Sequence, residues 1–290
     1  MKFALATLIV VFGLVQAIAQ EPMGQFASFE RASEPILNDP HDLEIGPDGH
    51  LYVADKFGGR ITVLNAETLE LIEYRNQGQL PGVHDIDFDD SGRAVIAVTG
   101  LGAVLVFNDF VNKSDTPDLT LPASRTEGAL AHSNGRIYAV AGGIGSLLAY
   151  EGDQLVASAS GHSGAHDVAE APDGSIWLAD NFNRRLVRYS SELELLQIIN
   201  HSKFGFVGPR YLDVDDFGRL IVADQDAHRI LMIDPSGQDG GTLLGVIGSG
   251  SPGIGPNIFD DPEGVEIQGG QYFFADSDNN RIVKYTVVTN

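Results

Sequence analysis

Six residues that can bind a metal, move a proton or hold an anion fall at one position of a repeated sequence pattern: His41, His84, Glu127, His166, Arg210 and Glu263. Three imidazoles brought to one point are the ligand type of a catalytic zinc, which keeps one position open for water or substrate. Glu127 and Glu263 would then be further ligands or a general base. Arg210 would hold a carboxylate or steady a developing oxyanion. The position carries only ionisable groups, in a mixture, whereas a purely structural position would repeat one residue or small apolar ones. The alternative is a polar channel lining in which His-Asp caps a turn.

Asp42, Asp85 and Asp167 directly follow the three histidines. They could accept the second ring N–H or hold a cation such as calcium, but anchoring nearby backbone is the plainer role. Tyr211, which follows Arg210, is either a proton donor or a packed core tyrosine. The pairs Asp55/Arg60, Asp180/Arg185, Asp224/Arg229 and Asp276/Arg281 share one spacing, which reads as hairpin salt bridges rather than chemistry. Blades two and three lack both partners, with Val98/Ala103 and Ala141/Ser146 instead.

The elements that must position these residues follow from the repeat. Its clearest copy runs from His166 to Tyr189 (HDVAEAPDGSIWLADNFNRRLVRY), and copies begin at each of the other five ring residues. The turn glycines Gly49, Gly92, Gly135, Gly174, Gly218 and Gly270 are spaced by 43, 43, 39, 44 and 52 residues. Self-similarity at such a period means a repeat architecture. Within a copy, Leu43 and Ile45, Leu51 and Val53, Ile61 and Val63 alternate with other residues around Gly-containing turns, the pattern of short antiparallel strands. Residues 66–74 and 190–199 read as fourth, outer strands. Four strands in six repeats predict an all-β, six-bladed β-propeller of four-stranded antiparallel blades occupying 20–290. The ring residues then sit just before each innermost strand, at the mouth of the axial channel. A segment near 25–30 is expected to close the ring as the last blade's outer strand.

Residues 1–19 read as a secretory leader: Lys2, an apolar run from Phe3 to Val15, then Ala17-Ile-Ala19. A periplasmic or extracellular monomer is expected. The sequence has no cysteine, so disulfides and thiolate chemistry are excluded. Forty acidic against 18 basic residues give a net charge of −22, which argues against nucleic-acid and anionic-membrane partners. No stretch after the leader approaches the roughly 20 apolar residues of a membrane span. The expected partner is a small-molecule or peptide ligand at the channel mouth.

The segments ADKFGGRI (54–61), ADNFNRRL (179–186), ADQDAHRI (223–230) and ADSDNNRI (275–282) resemble the core of the NHL repeat. Residues 166–180 are also similar to a metal-binding segment of one enzyme branch of that family, the peptidyl-α-hydroxyglycine α-amidating lyases. That resemblance implies His41, His84 and His166 as zinc ligands, Asp167 as a calcium ligand, and a lyase acting on a peptide-derived carboxylate. In that scheme Glu127 takes the proton and Arg210 binds the carboxylate. A gluconolactonase-like lactone hydrolase and a non-catalytic recognition scaffold are the alternative readings.

Overall fold

The structure, a computed structural model, describes residues 25–113, 116–237 and 240–287. The expected leader lies outside the described residues. The six repeats fold into six four-stranded antiparallel sheets arranged as a propeller. Among the described residues, helix is limited to one four-residue turn, His201–Phe204, and brief 3-10 turns. The innermost strands are Pro40–Ile45, Val83–Phe88, Thr126–Ala131, Ala165–Glu170, Pro209–Val214 and Pro262–Gln268. Blade six takes its outer strand from ahead of the first repeat, where Ala27–Ala32 pairs antiparallel with Arg281–Val287. This is the closure expected from the sequence, displaced by two residues.

The alternating pattern fills the spaces between blades. Six apolar clusters are present among the described residues, one for each blade–blade interface. Between blades one and two, for example, Tyr52, Ile61 and Val63 pack against Ile86, Ile96 and Phe107. Trp177 is buried between blades four and five.

The outer strands are shorter than the sequence suggests. Strands begin only at Leu71 and Leu195, and the residues before them form tight turns. The Asn65 side-chain oxygen accepts the N–H groups of Glu67 and Thr68, both at 2.9 Å. Ser190 Oγ likewise accepts those of Glu192 and Glu194. Each turn ends on a buried leucine with positive φ, Leu69 and Leu193. A side chain that bonds local backbone competes with strand pairing, so half of each segment is lost to the turn.

The four Asp/Arg pairs close their hairpins. Nε donates to Oδ2 at 2.7 Å from Arg60 to Asp55, 2.7 Å from Arg185 to Asp180, 2.9 Å from Arg229 to Asp224 and 2.8 Å from Arg281 to Asp276. These are the hairpin bridges expected from the sequence, and both partners of each pair make further contacts. Asp55, Asp180, Asp224 and Asp276 use their other oxygen to accept backbone N–H groups of Asn38, Ser163, Val207 and Asp260, each at 2.8 Å. The guanidinium of Arg185 also donates to the Gly161 carbonyl at 3.0 Å, that of Arg229 to the Gly205 carbonyl at 2.9 Å, and that of Arg281 to the Gly255 carbonyl at 3.3 Å. Arg60 instead lies over the Tyr74 ring, 3.8 Å from its centre, a cation–π contact with the outer strand of its own blade. The carboxylates therefore tie the second strand of a blade to the connector that enters it. Arg185, Arg229 and Arg281 reinforce that tie, and Arg60 fastens the outer strand. Arg60, Arg185, Arg229 and Arg281 line neither cavity at the channel mouth, so they belong to the scaffold.

Neighbouring inner strands approach closely at two glycines. A Cβ on Gly264 would lie 2.3 Å from the His41 carbonyl oxygen, and one on Gly128 the same distance from that of His166. Both obstacles are backbone atoms that cannot rotate away. Gly264→Ala is therefore expected to destabilise the fold by about 2 kcal/mol or more, as overpacking does, measured by chemical denaturation. An unchanged unfolding midpoint would contradict the close approach.

Candidate functional site at the channel mouth

All six ring residues lie on the innermost strands, at their second position rather than just before them as the sequence suggested. The pairing of inner and second strands slips at this point in every blade. In blade two, Val83 pairs with Val98 and Asp85 with Ala97, leaving His84 without an opposite residue. Glu127 and Arg210 are skipped in the same way. A β-bulge turns one side chain away from the alternating pattern, and repetition of the bulge gathers these residues around the axis.

The ring divides into two halves. In the first, His84 and His166 face the same carboxylate: their Nε2 atoms lie 3.0 and 3.8 Å from Glu127 Oε2. Each imidazole is held from behind in the same manner. His84 Nδ1 lies 2.8 Å from the Gly82 carbonyl and His166 Nδ1 lies 2.7 Å from that of Gly164. Thr99 Oγ1 adds a contact of 2.7 Å to His84 Nδ1. Burial, with the Arg210 charge as the second cause, pushes His166 down to about 3. It is therefore a neutral ring: Nδ1–H donates to Gly164 O and Nε2 presents a bare lone pair. Burial opposes the charge on Glu127, but the hydrogen bond and electrostatic attraction from His84, with the Arg210 guanidinium nearby, outweigh it, so the carboxyl stays below its ordinary range. These groups line a cavity of about 730 Å³ with Lys56, Arg125, Ser163 and Phe182.

The second half is a closed electrostatic network. His41 is fully buried, with Nδ1 2.8 Å from Glu263 Oε2 and 3.2 Å from Tyr211 Oη. On its other side Lys56 Nζ lies 2.9 Å from His41 Nε2 and 2.9 Å from Asp39. Burial works against a charged His41, but Glu263 and Asp39 prevail and raise it above the ordinary histidine range. Gln225 donates to Glu263 at 2.6 Å and accepts from Arg210 at 2.6 Å. Tyr211 is buried and donates to the His84 carbonyl, so its hydroxyl spans the two halves. Asp39, His41 and Glu263 do gather their ligand atoms within 4.8 Å of one another. Lys56 and Arg210 already supply cations to this cluster, so its charge is matched without a metal.

Below the mouth the shaft is lined by carboxyls. Asp85 accepts the Ala129 N–H at 2.8 Å, Asp167 that of Leu212 at 2.7 Å, and Asp42 that of Ile86 at 3.4 Å. All three acceptors reach from one blade to the inner strand of the next. Two residues further along the strands, Glu44, Asp87, Asp213 and Glu266 line the same cavity of about 340 Å³.

Sequence reasoning missed two layers of this site. Lys56, Thr99 and Gln225 share one repeat position, directly after the end of the second strand, and form a second ring at the mouth. Reading that column as the first was read would have found them. The deeper carboxyls lie two residues beyond Asp42, Asp85, Tyr211 and Gly264, the spacing that keeps side chains on one face of a strand.

No family model and no curated protein matches the chain. Solved structures do. Virginiamycin B lyase from Staphylococcus aureus superposes with a TM-score of 0.62 at 14% identity, covering 87% of this chain and 96% of that one. A catalytically inactive histidine-to-alanine form of that enzyme, solved with quinupristin, gives 0.61 at 13% identity, covering 91% and 96%. An auxiliary nutrient binding protein from Bacteroides ovatus gives 0.66 at 14% identity, covering 90% of this chain and 70% of that one. The likeness is one of fold. No helix among the described residues is long and apolar enough to cross a membrane.

The acidic shaft makes stability depend on pH. Burial raises Asp87 and Glu266 to about 7, joined for Asp87 by repulsion from Glu266 and Asp167, whereas the unfolded carboxyls titrate near their ordinary values of 3.8 and 4.5. The folded state holds more protons between these limits, so this contribution is complete below about pH 4 and is lost as pH rises through 7. Asp87→Asn keeps an acceptor for the Ala131 N–H and removes the charge. It is expected to raise the melting temperature by about 3 °C or more at pH 8 and to leave it unchanged near pH 4, as scanning calorimetry would show. A loss of stability at pH 8 would overturn this reading.

Proposed function

We propose that the chain is an exported NHL-type propeller whose mouth holds a divalent metal, zinc by preference, and acts as a lyase or hydrolase on a small or peptide-derived carboxylate. The observation that carries the reading is the convergence of His84, His166 and Glu127 with both Nδ1 atoms anchored on carbonyls. Two imidazoles and a carboxylate are an established ligand set for a catalytic zinc, and a backbone acceptor behind each ring fixes the Nε2 lone pair toward the ion. The neutral state of His166 suits it to that task. His41, expected from the sequence as the third imidazole, is engaged by Lys56, Asp39 and Glu263 on both nitrogens, and Glu127 takes its place in the proposed set.

When bound, the metal would supply Lewis-acid polarisation of a substrate oxygen. The chain's own residues do the rest. Arg210, held in place by Gln225 and Glu263, presents a guanidinium to the substrate carboxylate, and Lys56 adds a second positive charge at the same mouth. His41 and Glu263 act as positioning residues by fixing Tyr211 and Arg210. His84, Glu127 and His166 are buried, and low-dielectric surroundings strengthen their electrostatic interactions.

Mass spectrometry of the tag-free protein is expected to find about one divalent transition metal per chain. His84→Ala/His166→Ala should lose it while remaining folded, and His41→Ala should retain it. Metal lost with His41 alone would restore the three-histidine arrangement. A wild-type protein that takes up no metal when zinc is offered would leave a binding propeller, the role that the Bacteroides neighbour's name describes.

A further inference from the structure

Four large apolar side chains stand in solvent around the mouth: Phe57 (67% exposed), Leu101 (52%), Ile144 (61%) and Phe182 (71%). Each lies in the turn between the second and third strands of its blade, in blades one to four. Antiparallel pairing brings that turn to the end of the blade where the ring residue sits. The matching turns of blades five and six carry Asp226 and Asp278 instead. On the opposite face, the turns between first and second strands expose one large apolar residue among those described, Phe217. Isolated exposed apolar residues are ordinary on a protein surface. Four in equivalent turns around one cavity form a patch, and such patches mark binding surfaces.

The rim and the polar site form one surface. Phe182 and Ile144 line the cavity that contains His84, Glu127 and His166, and Phe57 lines the adjoining one that contains Arg210 and Glu263. Leu101 ends the short turn that begins at Thr99, the partner of His84. The Phe182 ring lies directly over Gly164, where an added Cβ would meet it at 2.4 Å, and the Gly164 carbonyl is the one that holds His166. The cavity that contains His84 and His166 carries Lys56, Arg125 and Arg210 against the single carboxylate of Glu127, whereas the adjoining one also holds Asp39, Asp261, Glu263 and Asp278. Arg210 Nε is buried and makes no hydrogen bond, so this guanidinium has donor capacity beyond its bond to Gln225.

We propose that the mouth takes an organic carboxylate bearing a large apolar body, with Arg210 and Lys56 receiving the carboxylate and Phe57, Leu101, Ile144 and Phe182 covering the body. This names the substrate class of the site described above and rests on the mouth being that site, though not on its metal. Asp226 and Asp278 give blades five and six no apolar cover at this position, which sets the apolar body of the ligand across blades one to four.

Calorimetric titration tests this with four probes: acetyl-Leu-Leu-Phe as the free acid, the same peptide as its amide, acetyl-Ser-Gly-Ser as the free acid, and dodecanoate. The wild-type protein is expected to bind the apolar peptide acid or dodecanoate at least tenfold more tightly than the amide and the polar acid. Whichever of the two binds more tightly identifies the source of the carboxylate. The variant Phe57→Ser/Leu101→Ser/Ile144→Ser/Phe182→Ser changes exposed side chains only. It should lose at least tenfold for the apolar acid, keep its weak affinity for the polar one, and retain its melting temperature. Equal affinities in wild type and variant would overturn the proposal. So would a wild-type dimer, seen by light scattering, that the four serines convert to a monomer, since the rim would then serve self-association. Metal content measured on the same samples separates the two readings. A metal-free chain that still discriminates removes the metal and keeps this proposal, whereas a metal-loaded chain that does not discriminate does the reverse.

Discussion

An innermost strand of a propeller is a sheet edge turned toward the axis, and its backbone N–H groups have no further strand to receive them. Leaving such groups unbonded in a narrow shaft costs free energy comparable to a lost hydrogen bond each. This chain answers with carboxylates carried on the neighbouring blade: Asp42 to Ile86, Asp85 to Ala129, Asp87 to Ala131 and Asp167 to Leu212. The blades are thereby joined near the axis by polar bonds, while the six apolar clusters join them further out. The same solution concentrates carboxyls in the shaft, where burial and repulsion favour their protonated forms. The acidic shaft is thus a consequence of joining edges with side chains that also carry charge.

The bulge at the second position of every inner strand gathers the candidate site residues. It takes one residue per blade out of the alternating pattern, so that residue need not serve the interblade core. The six blades then differ freely at that position. The local pairings, rather than the six-fold placement, set the surroundings of each imidazole: Lys56 beside His41 closes one half electrostatically, while Thr99 beside His84 leaves the other half with imidazole nitrogens facing a carboxylate. A single residue at the next repeat position separates a salt-bridged support from an open site.

The fold was legible because each repeat carries the same turn glycine, the same strand alternation and, in four blades, the same Asp/Arg hairpin. The closing strand was legible from its place before the first repeat. The outer strand starts were not, because Asn65 and Ser190 draw backbone N–H groups into turns that a periodicity reading takes for strand. The hairpin pairs were legible as pairs, but not the further bonds of Arg60, Arg185 and Arg229, whose partners Tyr74, Gly161 and Gly205 lie on other segments. The ring residues were found by their shared position, but their partnerships were not. Whether an imidazole faces a lysine or a glutamate depends on rotamers and on side chains from two blades at once. His41 shows this well, since its sequence context matches that of His166 while its hydrogen-bond and ion partners differ entirely.

The pairing of Ala27–Ala32 with Arg281–Val287 has a consequence in time as well as in space. The earlier of these two strands to be synthesised must wait, unpaired, for the later one. Blades one to five can form from contiguous segments, but the seal between blades six and one depends on joining residues separated by all six repeats, a loop closure of high entropic cost. Until then the edge of an incomplete ring is open to strands from other molecules. A lesion in either strand would therefore act on the kinetics of assembly and on aggregation in the nascent state, even where the mature mouth is untouched.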